Sequence, residues 1–175
     1  GAAYYDLGDF EISPGNGIVC YSEDRVGRRQ YVLRFRDLAS GKDLPDVITN
    51  TGGGCAWADD CTVFYPRKDE TLRTYRIYRH ELGTHESHDV LVFEEEDPAF
   101  SCDVYRSRSD KFVMITTEST TSSEHLILPV SDPGGRFKVF LPREVDHEHT
   151  VIHVPVLDSR PESLGKWYII TNWKA

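Results

Sequence analysis

The chain contains 175 residues, 39% of them hydrophobic, and its 20 basic and 29 acidic side chains give a net charge of −9 at pH 7. This acidic balance argues against nucleic acid as the main partner and tolerates a cationic ligand. No apolar run approaches the roughly 18 residues of a membrane-spanning helix, and no signal peptide is visible, so we expect no membrane partner and a cytoplasmic location.

Residues 10–48 form the unit that the rest of the chain repeats. Four short runs rich in Val, Ile, Tyr and Phe are separated by turn residues at 14–17, 23–27 and 40–42. Apolar and polar side chains alternate within 31–36, which is typical of a strand with one face against a core. The unit therefore predicts an antiparallel meander of four strands.

Shifting the sequence by 44 residues lays 31–38 on 75–82, and a further shift of about 49 carries 75–78 onto 124–127. Four strands in each repeat of about 40 to 50 residues are what one propeller blade requires. The sequence predicts an all-β fold, a partial β-propeller of about three four-stranded antiparallel blades plus the start of a fourth. Its units span residues 8–48, 52–94, 100–142 and 147–175, the last one incomplete. A single irregular β-sandwich remains the alternative.

The position of each strand in the ring follows from its order in the unit. We expect the first strands, near Ile12, Trp57 and Val104, to lie nearest the propeller axis. The fourth strands should lie outermost, near Ile48, Leu91 and Phe140.

Three connections differ from ordinary tight turns. The acidic run 94–97 is interpreted as a solvated link, with an acidic lining for basic peptides as the alternative. The Ser/Thr-rich stretch 116–123 is expected to satisfy its own hydroxyls. An insertion at 154–166 contains Pro155, Pro161 and Gly165, and its length favours a functional loop or a disordered one.

The four cysteines, Cys20, Cys55, Cys61 and Cys102, show no C-x-x-C spacing. We interpret them as free buried thiols of a reducing compartment, with one disulfide as the alternative.

The search for chemical motifs assigns no catalytic, cofactor-binding or metal-binding residue. The sequence contains no G-x-S-x-G, no G-x-G-x-x-G, no P-loop and no Asp-box. His147, His149 and His153 would share one face of an extended strand, and His85 and His88 lie in a loop. Three imidazoles on one face can hold zinc, but no fourth ligand is indicated, so neither a metal nor a cofactor is predicted.

Several stretches together resemble the propeller of the oligopeptidase B (protease II) group within the prolyl oligopeptidase family of serine peptidases. The resemblance covers almost the whole chain, and its motifs keep their order and spacing: LGDFEISP at 7–14, RQYVLRFRDL at 29–38, CAWA at 55–58 with VFY at 63–65, YRHELGT at 78–84, TTSSE at 120–124, and FLPR at 140–143 with DHEH at 146–149.

The resemblance implies a seven-bladed propeller that caps an α/β-hydrolase domain, the expected partner of this chain. In that family the hydrolase domain carries a Ser/Asp/His triad, cleaves short peptides after Arg or Lys, and is screened by the propeller for substrate size. The triad lies in a region that these residues do not match, so the chain is expected to be a non-catalytic fragment, inactive by itself. The opening Gly1-Ala2-Ala3, without Met, suggests a cloning remnant.

A free-standing scaffold for protein binding is the alternative function, although the WD and kelch signatures expected of one are not seen. An incomplete ring would leave two blade faces bare, so we also expect self-association through those faces or through edge strands.

Overall fold

The computed structural model describes residues 4–156 and 165–173. The strands in this part of the chain are β1 (Asp6–Ile12), β2 (Ile18–Asp24), β3 (Tyr31–Asp37), β4 (Asp43–Thr51), β5 (Ala56–Trp57), β6 (Thr62–Lys68), β7 (Thr74–Glu81), β8 (Val90–Glu94), β9 (Ser101–Arg106), β10 (Phe112–Glu118), β11 (Ser123–Pro129), β12 (Lys138–Leu141), β13 (His149–Val154) and β14 (Lys166–Thr171). The helical residues described are a single 3-10 turn at Glu86–His88, so no helix there could cross a membrane.

Local turn chemistry explains how β1 to β4 fold into a meander. Asn16 adopts a positive φ of 58° in the β1–β2 turn, a conformation that asparagine tolerates better than most residues. After β2, the carboxylate of Asp24 accepts hydrogen bonds from the backbone N–H groups of Val26, Gly27 and Arg29 at 2.8, 2.9 and 2.7 Å. These bonds pair backbone N–H groups of the charged β2–β3 loop that would otherwise be hydrogen-bonded only to water.

The first two meanders form one continuous sheet, rather than the separate sheets that the repeat suggests. The short strand β5 pairs only with Val63 and Phe64, which leaves the far end of β6 open. Strand β4 extends to Thr51, which pairs with Arg67 at that open end. The N–H of Gly52 then donates to the carbonyl of Pro66 at 2.7 Å, and a Cβ on Gly52 would meet the Pro66 ring at the same distance. Glycine is therefore required where the two meanders join.

The third meander is a separate four-stranded sheet in the order β12-β11-β10-β9, and β13 pairs with β14 as a hairpin. The hairpin ladder runs from His149↔Thr171 to Val154↔Lys166. Most of the insertion predicted at 154–166 lies outside the described residues, so its interpretation stays a prediction.

The core lies between successive meanders. One buried cluster joins β2, β3 and β4 to β5 and β6: Cys20, Leu33, Phe35, Ile48, Cys55, Trp57, Val63 and Tyr65. A second cluster joins β5, β6 and β7 to the third meander: Ala56, Ala58, Phe64, Ile77, Cys102, Val104, Val113, Ile115, Leu126 and Leu128. Alternate residues of β6 enter different clusters, and this explains why the strand is apolar on both faces.

The first strands of successive units lie side by side, as strands around the centre of a ring do. Strand β5 contacts both β1 and β9. The indole N–H of Trp57 donates to the carbonyl of Glu11 in β1 at 3.0 Å, which ties the first two units together. Meanders that stack face to face with their first strands adjacent define a partial β-propeller, so the predicted fold class is confirmed.

Two predictions about individual residues are wrong. Cys61 is exposed, because it lies in the turn between β5 and β6, where Asp59 accepts hydrogen bonds from the N–H groups of Cys61 and Thr62. Cys20, Cys55 and Cys102 are buried and free, as predicted. Glu95, in the run interpreted as a solvated link, is buried and pairs with Arg143 at 2.5 Å.

Candidate functional site

Four carboxylates gather beside the adjacent first strands, and we call them the inner carboxylates: Asp9 and Glu11 of β1, Asp103 of β9, and Glu118 at the end of β10. A Cβ on Gly54, just before β5, would lie 3.6 Å from Oδ1 of Asp103 and 3.9 Å from Oδ2 of Asp9. Carboxylates from two different units therefore flank one side-chain-free position. All four residues are solvent-exposed.

A cavity of about 240 Å³ opens at this place, between the second and third units. Its walls include Gly52, Gly54, Thr116 and two of the inner carboxylates, Asp103 and Glu118. Asp103 lines this cavity, so neighbouring residues surround part of its carboxylate. The residue still reaches solvent through the cavity opening. The cavity is open, polar and acidic, which suits a cationic group from a peptide better than an apolar ligand.

Burial and, after it, neighbouring carboxylates raise the pKa of two of the inner carboxylates, Asp103 and Glu11. Burial raises the pKa of Asp103, and the carboxylates of Asp9 and Glu118 raise it further, against the opposite effect of the Val104 N–H group. Burial also raises the pKa of Glu11, with Asp9 as the second cause. Within the described residues none of the inner carboxylates forms an ion pair. A bound cation would relieve this repulsion.

A second polar cluster, the His80 network, consists of His80, Asp46, Asp89 and Tyr65 and joins the first unit to the second. The imidazole of His80 lies 2.7 Å from Asp89 through Nδ1 and 3.2 Å from Asp46 through Nε2. The Tyr65 hydroxyl donates to the other Asp89 oxygen at 2.7 Å. Burial opposes a charge on His80, but the hydrogen bonds and charges of Asp89 and Asp46 outweigh it and raise the pKa. Only a doubly protonated ring can donate to both carboxylates.

Arginines hold the connection between β8 and β9. Arg73 donates from Nη1 to the carbonyls of Asp97 and Phe100 at 2.9 and 2.8 Å. Arg143 places its guanidinium 3.8 Å from the centre of the Phe100 ring while it pairs with Glu95. The buried Glu95 of this acidic segment is therefore held between strands by Arg143, while Glu94, Glu96 and Asp97 remain exposed.

The other stretches singled out from sequence have structural explanations. Within 116–123, the N–H of Ser122 donates to Ser119 Oγ and the N–H of Ser119 to the Ser122 carbonyl, so the turn satisfies its own polar groups as expected. His85 caps the 3-10 turn by accepting from the N–H of Ser87.

The histidines weighed as zinc ligands do not converge. His149 lies against His125 and His147, whereas the ring of His153 packs on Phe112 and Trp167. Among the residues that the structure describes, no three His, Cys, Asp or Glu side chains are arranged to hold a metal ion.

The fold and these clusters define a class of protein: a β-propeller segment with an acidic inner surface. Comparison with known families places it more closely, because the profile described as "Prolyl oligopeptidase, N-terminal beta-propeller domain" matches residues 1–175. The chain belongs to this family.

Curated relatives include dipeptidyl aminopeptidase BI of Pseudoxanthomonas mexicana, which is 44% identical over 98% of this chain and 23% of its own length. Protease 2 of Moraxella lacunata is 33% identical over 66% of this chain and 17% of its own. The chain thus spans about a quarter or less of these relatives.

Solved structures agree with the family assignment. Oligopeptidase B from Leishmania major superposes with a TM-score of 0.80 at 28% identity, over 87% of this chain and 22% of the other. The enzyme from Trypanosoma brucei gives a TM-score of 0.77 at 25% identity, over 97% of this chain and 25% of the other.

Proposed function

We propose that the chain is the non-catalytic propeller portion of a serine oligopeptidase that hydrolyses peptides after Arg or Lys, and that it filters substrates by size and charge on their way to an α/β-hydrolase domain of the same protein. The observation that carries the proposal is the group of inner carboxylates beside the adjacent first strands, none of which forms an ion pair with a described residue. Short basic peptides are the substrates that such a surface attracts.

Three further observations support the proposal. Solved relatives are named oligopeptidase B, and a curated relative is named Protease 2. The chain offers no G-x-S-x-G, so hydrolysis needs residues from another domain. The free buried thiols favour a reducing compartment, which supports a cytoplasmic location. We further propose that units 8–48, 52–94, 100–142 and 147–175 are successive blades.

The charge filter can be tested in the peptidase that contains this chain, with the double variant Asp9→Asn/Asp103→Asn. Removing two unpaired carboxylates should raise KM for Arg-containing peptides about three- to tenfold with little change in kcat, because each exposed charge contributes up to about 1 kcal/mol of attraction. High salt should shrink the difference, since exposed charges are screened within about 10 Å at 0.1 M salt.

The matched control is Glu70→Gln/Glu96→Gln, which removes the same net charge from exposed loops elsewhere. The control should leave KM unchanged, and uncharged peptides should respond to neither variant. Equal effects of the two double variants on KM, or an equal effect on uncharged peptides, would contradict the charge filter.

A second candidate activity is release of dipeptides from peptide N-termini, and the 44% identity to dipeptidyl aminopeptidase BI favours it. Mass spectrometry of the products separates the two, because the first activity yields internal fragments ending in Arg or Lys. The comparisons do not favour the free-standing scaffold.

We also propose that the chain self-associates through its two uncovered faces. Leu7, Phe10 and Ile12 of β1 are exposed at one end, and Ile169 and Ile170 of β14 at the other, with Phe10 at 57% and Ile170 at 65%. Apolar patches of several hundred Å² drive association, at about 25 cal/mol for each Å² buried.

Light scattering at tens of micromolar should therefore give a dimer or a larger species rather than the 20.0 kDa monomer. Phe10→Asp should shift the chain towards monomer, whereas Leu72→Asp should not, because Leu72 is an exposed apolar residue in the turn between β6 and β7 of the second unit and lies on neither terminal strand. A monomer whose two ends are both protected from hydrogen exchange would contradict self-association.

A further inference from the structure

Three histidine rings pack together where the β13–β14 hairpin meets the third unit, and we call them the histidine joint: His125, His147 and His149. The ring centres of His125 and His149 are 4.9 Å apart, and those of His147 and His149 are 5.1 Å apart. His125 is only 2% exposed and His149 only 5%. Because β11 carries His125 and β13 carries His149, the joint bridges two units.

Hydrogen bonds hold the backbone of His149 and the ring of His125 in place. The N–H of His149 donates to Ser123 Oγ at 2.8 Å, and the His149 carbonyl accepts from Ser123 Oγ at 3.1 Å. The same carbonyl accepts from Nε2 of His125 at 2.9 Å. A neutral His125 must therefore carry its proton on Nε2, which leaves Nδ1 as an acceptor.

Among the described residues, no hydrogen-bond acceptor faces the remaining ring nitrogens of His125 and His149. Within the described residues, Nδ1 of His125 and both nitrogens of His149 are buried without a hydrogen-bond partner. A second proton on His125, or a charged His149, would place one more buried N–H donor opposite no acceptor, and two charged rings would lie within 5 Å of each other.

The charged and titratable groups on the surrounding elements do not neutralise His149. They are Glu118 of β10, Glu124 of β11, and Arg143, Glu144, Asp146, His147 and Glu148 of the connection before β13. Glu124 lies near Arg143, and Glu144 lies 3.6 Å from Nδ1 of His147. Glu118, Glu148 and His149 itself line an open crevice of about 450 Å³, but the two ring nitrogens of His149 are buried.

The pKa of His149 is shifted in the direction that this geometry requires, towards the neutral ring. Burial lowers the pKa of His149, and His125 and His147 lower it further. The carbonyls of Pro142 and of His149 itself favour the charged ring, but neither meets a ring nitrogen in hydrogen-bond geometry.

We propose that the histidine joint is a proton-operated contact, which holds the β13–β14 hairpin on the third unit when His149 is neutral and releases it when His149 is protonated. A histidine freed from the joint has an ordinary pKa near 6.5, so the contact is fully formed above about pH 6.5 and weakens as the pH falls below that value. Release would separate neighbouring units at one seam while the core clusters stay closed. The inference does not depend on the proposed function.

The size of the effect follows from proton linkage. At about pH 5.5 a released histidine of ordinary pKa is roughly tenfold more protonated than neutral, so the released state gains about a factor of ten because His149 must stay neutral in the joint. Hydrogen exchange of the β13–β14 amides, corrected for the intrinsic effect of pH, should therefore accelerate at least about tenfold between pH 7.5 and 5.5, relative to β9–β11.

The test compares wild type with His149→Phe, which fills the same space without a proton site, and with His88→Gln, an exposed histidine of the 3-10 turn. His149→Phe should reduce the acceleration to about threefold or less, and His88→Gln should leave it at the wild-type value. Equal acceleration in His149→Phe and wild type would overturn the proposal, as would hairpin exchange that does not change with pH.

A measurement on the wild-type protein keeps the proposal testable if His149→Phe does not fold. NMR titration of the histidine ring protons should show His149 staying neutral below the ordinary histidine pKa until the hairpin amides lose protection, and then titrating together with them. A ring that titrates with an ordinary pKa while the hairpin stays protected would overturn the proposal.

Discussion

Replacing Asp89 with alanine is expected to lower the free energy of unfolding by about 3–5 kcal/mol, the cost of leaving one member of a buried ion pair without its partner. Asp89 and His80 are both almost fully buried, and Asp89 also accepts the hydroxyl proton of Tyr65 at 2.7 Å. The substitution would therefore strand two donors in the core between the first and second units. Urea unfolding followed by tryptophan fluorescence measures the loss.

The control is Asp43→Ala, which breaks the pair with Arg36 at 2.7 Å, because both of those side chains are more than 40% exposed. It should cost no more than about 1 kcal/mol. Equal losses in the two variants would show that the His80 network does not bind the units together.

The same network makes stability depend on pH in the opposite sense to the histidine joint. Because the pKa of His80 is raised in the fold, its contribution is fully present below about pH 6.5 and is lost as the pH rises through the folded-state value. Wild type should therefore lose stability over that window, and Asp89→Ala should lose much less of it. The β13–β14 hairpin should instead tighten as the pH rises towards about 6.5 and should stay unchanged over the window of the His80 network.

The strands and their repeat could be predicted because their signals are local. Runs of β-branched and aromatic residues, and turn residues such as Asn16, belong to a single stretch of chain. Strand β5 was harder, since only Ala56 and Trp57 pair and its position is fixed by the indole bond from Trp57 to Glu11. The bridge from Thr51 to Arg67 depends on that short strand and carries no sequence signal of its own.

The candidate site could not be predicted because it joins residues from distant parts of the chain. Asp9 and Asp103 are separated by more than ninety positions and meet only when β1, β5 and β9 lie side by side. The sequence signal that could have predicted the site is the presence of acidic residues on the first strand of more than one unit. The acidic run 94–97 was the more conspicuous feature, yet Arg143 neutralises its buried member, Glu95.

The histidines show the same limit. Period-two spacing correctly predicts that His149 and His153 share a buried face of β13. It does not predict that His147 precedes the strand, or that His125 of the third unit completes the cluster with His149. Which rings meet is decided by how the hairpin packs on β11, and that is a tertiary contact.

The second large effect concerns catalysis. A serine peptidase needs a positioned nucleophile, a base and an oxyanion hole, and loss of the triad leaves only a small residual rate even when the rest of the site survives. These 175 residues contain no nucleophile elbow, and the buried rings of His80 and His125 bridge neighbouring units. Nδ1 of His153 lies 2.5 Å from Oγ of Ser109, but Ser109 stands in the turn between β9 and β10 and not on the strand-to-helix turn of a nucleophile elbow. The polypeptide should therefore bind basic peptides weakly through the inner carboxylates without cleaving them.

The rate at which the purified 175-residue polypeptide hydrolyses an Arg- or Lys-based fluorogenic peptide tests most directly whether the chain is a non-catalytic filter. The peptidase that contains the chain is the positive control, and the polypeptide carrying Asp9→Asn/Asp103→Asn controls for binding without cleavage. The account predicts no rate above buffer for either polypeptide. A rate in the 175-residue chain that a serine-directed inhibitor abolishes would contradict its assignment as a non-catalytic filter.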